Sequence, residues 1–342
     1  MAQIDKPNTQ FTPTIYSGTS ASHAVSVGFQ PDLVWLKPRS VVDAHRLMNS
    51  VSGAGFYLMS NATNGESASG TRFTSFDTDG FTLGDADEGW NQSGQTYVSW
   101  NWLGGGTAVS NTAGSITSSV SSNTDSGFSI CTYTGTGVSE TIGHGLGAVP
   151  NVIIVKGRSG PDAVDGWYIY HSSVGNTKFL ELQSTGASTT SSSVWDNTTP
   201  TSITFSTTYL SKASTNYVAY CFAEKKGFSK FGSYVGNGNA DGTFVYTGFK
   251  SAFVMVKRTD AVEDWVIYDS KRNTYNLANL LLYPNLSTAD TTAVTGVIDI
   301  LSNGFKTRGT SPAVNASGGS YIYMAFAENP LVGSNNIPTT AR

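Results

Sequence analysis

One pattern is written three times in this chain, and no other feature restricts its folding as tightly. The first copy opens with Phe11 to Gly18 (FTPTIYSG), passes through Gly28 to Arg39 (GFQPDLVWLKPR), and closes with Tyr97 to Trp102 (YVSWNW). The second runs from Phe128 to Gly135 (FSICTYTG) through Pro150 to Arg158 (PNVIIVKGR) to Tyr217 to Glu224 (YVAYCFAE). The third has Phe231 to Gly236 (FGSYVG), Ala252 to Arg258 (AFVMVKR) and Tyr321 to Glu328 (YIYMAFAE). Opening Tyr to closing Tyr spans 81, 84 and 87 residues (16 to 97, 133 to 217, 234 to 321), and opening Tyr to the shared Lys spans 21, 23 and 23. Register kept over such distances is the mark of duplication. A scaffold or multivalent binder gains from repetition, whereas a catalyst needs one asymmetric pocket.

A chain of 342 residues has room for two or three domains, and copies of this length are the size of a β-sandwich with its own core. Charged residues make up 13 % and the net charge is −4, with no basic cluster of note, so the chain lacks the electrostatic footprint that nucleic acid requires. Its 37 Gly, set among Ser and Thr, imply many turns and few helices. Aromatics at 12 % supply the buried area that disordered chains lack. Met1 to Gln10 has no basic start before an apolar run, and no apolar stretch nears the ~18–20 residues that cross a bilayer. The expectation is assembly in a cytoplasm without membrane insertion.

The expected fold is all-β: three tandem, related β-sandwich units of jelly-roll type. Leu33 to Leu36, Val152 to Val155 and Ala252 to Val256 are short apolar runs that suit strands buried on both faces. Trp167 to Tyr170 and Trp265 to Tyr268 read as the next strands, with Ala44 to Leu47 a drifted equivalent. Phe76 to Leu83 and Ile300 to Phe305 read as strands entering turns with Gly80 and Gly304 at positive φ. Leu277 to Leu282 is the one candidate for a turn or two of helix. The boundaries that follow are an arm over residues 1–10, units at 11–103, 128–226 and 227–328, a Gly/Ser/Thr-rich linker at 104–127, and a tail at 329–342. Lys225 to Lys230 is too short for a tether, so units two and three should pack together, while the polar arm and tail could reach a neighbouring subunit.

Candidate chemistry is sparse. His23, His45, His144 and His171 share no aligned position and no metal-ligand spacing. Asn237 to Gly242 imitates the start of a calcium loop but has Gly248 at the twelfth position, which suits a β-turn better. Asp77, Asp79, Asp85, Asp87 and Glu88 form an acidic loop that either holds a cation or is simply solvated. Cys131 and Cys221 fall in the first and last strands of unit two, which leaves open whether they pair. Glu224 and Glu328 occupy equivalent positions, with Gly104 in copy one. They read as structural partners of the repeated Lys37, Lys156 and Lys257, or of Arg39, Arg158 and Arg258, more readily than as a glycosidase pair. Among the tryptophans, Trp90 and Trp195 lie in polar loops and are the best candidates for exposed stacking platforms, though even for these a role as local packing anchors is the favoured reading. No catalytic residue, metal site or cofactor is assigned.

Three stretches carry a family resemblance: Gly28 to Lys37, Tyr217 to Gly242 (YVAYCFAEKKGFSKFGSYVGNGNADG) and Asn335 to Pro338. They resemble a repeat domain of tailed-bacteriophage virion proteins, common in phages of marine and cyanobacterial hosts. The resemblance covers nearly the whole chain outside the linker and carries no catalytic residues. It implies a structural particle protein, partnered by other virion proteins and by copies of itself, located in the virion. Three functions follow as expectations. The first is a tail-fibre or tail-tip appendage that touches a host-surface glycan or protein, for which repetition raises weak binding. The second is a capsid decoration protein, favoured by the absence of heptads or a shaft and by the fit of three like units to a threefold site. The third, an envelope-polysaccharide depolymerase, would need a carboxylate pair in a groove.

Overall fold

The computed structural model describes residues 4–84, 87–161, 163–199, 201–205 and 209–332. Each apolar run became a strand, and each copy arranges its strands in the same order. In the first copy a four-stranded antiparallel sheet runs Phe11–Ser17, Thr96–Trp102, Leu33–Pro38, Arg46–Asn49 from edge to edge. Here these are termed the opening, closing, lysine and outer strands. The second copy repeats the order with Phe128–Thr134, Asn216–Phe222, Val152–Ser159 and Tyr168–His171. The third does so with Ser229–Val235, Ser320–Pro330, Phe249–Arg258 and Val266–Asp269. A three-stranded sheet of matching order accompanies each: His23–Ser26, Gly80–Leu83, Phe73–Asp77; Glu140–Gly143, Ser202–Phe205, Trp195–Thr198; and Phe244–Tyr246, Gly304–Thr307, Ile298–Leu301. The chain is all-β and sandwich-like, with a single four-residue α-helix, Pro312–Asn315, among the described residues.

The runs are apolar throughout because both faces of each large sheet are buried. Alternation along a strand sends successive side chains to opposite faces. Val34 and Leu36 face the first small sheet, Ile153 and Val155 the second, Val254 and Val256 the third. The intervening residues Leu33 and Trp35, Val152 and Ile154, and Phe253 and Met255 all enter one central core, joined by Trp100, Trp102, Tyr220, Phe222, Met324 and Phe326. The molecule therefore has one shared core and three satellites. Units two and three do pack together, as the short Lys225 to Lys230 junction required, but unit one is seated against both by the same core.

Three sequence expectations need correction. The 104–127 stretch is not a free linker: Val109–Asn111 and Ser118–Asn123 extend the second large sheet beside Phe128–Thr134. Gly104 and Gly105 cross closely there, donating their amides to Asp32 Oδ2 at 2.8 Å and Ser121 Oγ at 2.9 Å, and a Cβ on Gly105 would lie 2.4 Å from the Ser122 carbonyl oxygen. Glycine there serves close approach. The same holds for Gly80 and Gly304, which are not at positive φ. A Cβ on either would meet the carbonyl of Val25 or Val245 on the adjacent strand. Leu280–Leu281 is a short strand, not a helix. Within the amino-terminal arm, Pro7 is buried and Ile4 packs against the central core of the same chain. The tail reaches Pro330 within the last strand, and its residues 333–342 lie outside the described residues.

Candidate functional site

The repeated tyrosines explain the long register. Each opening Tyr stacks on its closing Tyr across the ladder: Tyr16 on Tyr97, Tyr133 on Tyr217 and Tyr234 on Tyr321, with centroids 4.9, 5.0 and 4.9 Å apart. The opening hydroxyls donate to the carbonyls of Trp90, Leu210 and Val314 at 2.8, 2.8 and 2.7 Å. The closing hydroxyls accept the amides of Gln92, Lys212 and Ala316 at 2.9, 3.1 and 2.7 Å. Each pair thus fastens the loop that enters its closing strand, a packing role like that of other cross-strand aromatic pairs. Burial pushes the Tyr16, Tyr133 and Tyr234 phenols well above their usual range.

The shared lysines are also structural. Lys37, Lys156 and Lys257 are fully buried and lie in register with Val98, Val218 and Ile322. A buried ammonium needs acceptors on every side. Lys156 Nζ donates to the carbonyls of Gly157, Ala163 and Asp165 at 3.0, 2.6 and 2.6 Å. Lys257 Nζ reaches Glu263 O at 2.7 Å and Thr185 O at 3.0 Å, and Lys37 Nζ reaches Pro38 O at 2.7 Å. Burial brings each lysine down to about 8, with nearby carboxylates opposing the fall. The repeated glutamates are not their partners. Glu224 pairs with Lys230 at 2.7 Å and Glu328 with Lys250 at 3.8 Å, because the lysines lie opposite the start of each closing strand, at Val218 and Ile322, and the glutamates six residues further on.

The arginines point instead to contacts that sequence spacing did not reveal. Arg39 pairs with Asp290 of the third copy at 2.7 Å, and Arg158 with Glu66 of the first at 2.8 Å. Arg258 turns to its own Asp260 at 2.8 Å. Beside them the backbone repeats one bond around the molecule. Asp290 N donates to Arg39 O at 2.7 Å, Glu66 N to Arg158 O at 2.7 Å, and Ser188 N to Thr259 O at 2.9 Å. Copy one thereby meets copy three, two meets one, and three meets two. A second contact follows the same direction: Trp167 Nε1 donates to Met59 O at 2.9 Å and Trp265 Nε1 to Glu181 O at 3.0 Å. At the matching place in copy one stands His45, and copy one meets copy three through Ser60 Oγ, which donates to Pro284 O at 2.7 Å. A third runs the other way, with Asn49 Nδ2 on Tyr220 Oη at 3.2 Å, His171 Nε2 beside Tyr323 O at 3.2 Å, and Trp100 Nε1 on Asp269 Oδ2 at 3.1 Å. Head-to-tail contacts that return to their start make a closed ring. Three copies in one chain form what three subunits form in a cyclic trimer.

Trp90 and Trp195 are not surface platforms. Both are 1 % exposed. Trp90 meets Tyr57 edge-on and lies under the Arg46 guanidinium at 4.9 Å, while Trp195 packs on Tyr170 and Phe205. Their polar neighbours in sequence are loop residues that fold over the rings. Cys131 and Cys221 are free, buried thiols on the sandwich face of their strands. In the acidic loop, Asp77 accepts from Ser75 and Thr82, both at 2.6 Å, Asp87 pairs with Arg72 at 2.8 Å, and Asp85 lies outside the described residues. The Asn237 to Gly242 loop spends its oxygens on its own amides and on Asn315 Nδ2. Among the described residues no cluster of His, Cys, Asp and Glu is placed to hold a metal.

Two open grooves border the third copy. One of about 420 Å³ is lined by Glu224, Lys226, Lys230, Tyr246 and Pro330. The other, about 410 Å³, lies on the seam with the second copy between Lys178, Ser188, Tyr234 and Thr259.

The fold and its seams define a class: an all-β chain whose repeated residues join three like two-sheet segments around one core. It belongs to a family described as a domain of unknown function, DUF7483, whose model matches residues 6–330. That match runs through all three copies and the 104–127 stretch. A comparison with curated proteins returns no match.

Proposed function

We propose that this chain is a non-catalytic structural protein of a tailed-phage particle, carried as a surface appendage of the tail-fibre or tail-tip kind. The resemblance of its lysine strands and closing segments to phage virion repeats supports the reading. The observation that carries it is the use made of the repeated residues: the tyrosine pairs, the buried lysines and the seam contacts all go into building one rigid three-lobed body. A second reading, decoration of the head, is favoured by the cyclic closure, which suits a seat on a threefold axis of a shell. Gold-labelled antibody on purified particles distinguishes the two. Label at the tail supports the appendage, label over the head supports decoration, and particles free of label refute both. A reducing-sugar assay on host polysaccharide is expected to show no release; release would favour a depolymerase.

A further inference from the structure

One exposed apolar position is common to all three copies, and in two of them a buried lysine holds the loop that carries it. Three residues before His45, Trp167 and Trp265 stand Val42, Val164 and Val262, which are 71, 64 and 68 % exposed. Each precedes an acid (Asp43, Asp165, Glu263) in the loop between the lysine and outer strands. The other large apolar residues at the described surface, such as Val138, Val149, Tyr246 and Val294, have no such counterpart in both remaining copies. Singly exposed valines need no explanation. The same valine kept in all three loops, without a partner in its own chain, does.

In copies two and three the buried lysine beneath the loop fixes its backbone. Lys156 binds the carbonyls on both sides of Val164 and Lys257 binds that of the residue after Val262, whereas Lys37 reaches Pro38 O. Asp43 and Asp165 are themselves paired, with Arg46 at 2.9 Å and Lys212 at 2.6 Å, so these loops present their valines with little unbalanced charge. Because the seam contacts close a ring, the three loops occupy equivalent places, one per lobe.

We infer that Val42, Val164 and Val262 are the three feet by which this protein docks on a protein surface formed by three identical subunits around a threefold axis. Each foot enters the same apolar socket on a different subunit. The inference rests on the particle reading above and names the partner's symmetry. Three weak, rigidly spaced contacts act together, because after the first binds the others are held at high effective concentration.

The test uses the full chain, fluorescently labelled, and purified particles of the encoding phage from which the protein has been deleted. Wild-type protein should rebind saturably; failure of wild type to bind would refute the particle reading itself. V42S, V164S and V262S should each weaken binding by about 5- to 10-fold, the order expected for losing one buried valine, and the triple variant by more than about 100-fold. V294S serves as an exposed control and should bind as wild type does. All five variants are expected to melt with wild type, since the replaced groups touch solvent. Unchanged binding by the triple variant, a loss confined to one of the three positions, or an equal loss in V294S would overturn the inference.

Discussion

Replacing Asp290 by alanine should open the seam between the first and third copies more effectively than any other surface-proximal change. Its carboxylate accepts from Arg39 Nε at 2.7 Å and from Arg272 Nη1 at 2.9 Å. Arg272 is fully buried and also pairs with Asp269 at 2.5 Å, lying 5.8 Å from the Trp100 ring. Burial alone would push the Arg272 guanidinium down, and the two carboxylates more than offset it. Two arginines and two aspartates balance; D290A leaves Arg272 its Asp269 partner but strips the second carboxylate from Nη1, where water cannot replace it. Arg39 is partly exposed and recovers solvent, so the penalty falls mainly on Arg272. Removing one partner of a buried pair costs about 3–5 kcal/mol. Urea unfolding at pH 7, followed by tryptophan fluorescence, reads the loss. D260A breaks the more exposed Arg258–Asp260 pair and should cost under ~1 kcal/mol. A loss below about 1 kcal/mol for D290A, or one no larger than that of D260A, would refute the claim that this seam is a buried structural joint.

Other expectations follow from the same contacts. W90A should destabilise by about 3–5 kcal/mol in the same assay, since the ring is enclosed; a near-neutral result would restore Trp90 as a surface group. His171 is held near 4 by burial, below the ~6.5 of an unfolded chain, so its contribution is complete above that value and is lost as pH falls toward 4. H171Q should therefore remove up to about 3 kcal/mol of the acid-side slope in a stability–pH profile. Lys156 at about 8 is lowered from its unfolded value, so the unfolded chain holds the proton more tightly and stability rises as pH climbs from 8 toward 10. K156M should flatten that rise by about 2 kcal/mol between pH 7 and 9.5; a slope identical to wild type would contradict a desolvated ammonium.

How far the sequence discloses this protein depends on the range of the interaction. Strands were legible because Leu33 to Leu36 or Val152 to Val155 need only local alternation and burial on both faces. The tyrosine and lysine positions were legible as repeats, though their tasks were not: a hydroxyl bound to a loop carbonyl and an ammonium bound to three carbonyls leave no pattern in side-chain identity. Trp90 and Trp195 are the packing anchors that the favoured reading made them; the surface alternative rested on polar neighbours in the chain that are not neighbours in space. The 104–127 stretch misled because Ser and Gly, which suit a flexible linker, also suit strands crossing at close range. The seams were hidden most completely. Arg39 and Asp290 stand far apart in sequence, and copy three lacks the arginine at the position matching Arg39 and Arg158, so alignment of the copies showed no shared acid to pair with.

The central claim, that three copies close into one body around a shared core, is tested most directly by small-angle X-ray scattering of the monomeric full chain. A closed body of 342 residues should have a radius of gyration of about 20 Å and a single-peaked distance distribution. Three ~100-residue sandwiches strung in a row would give about 30 Å and a long-distance shoulder, and that result would contradict the ring.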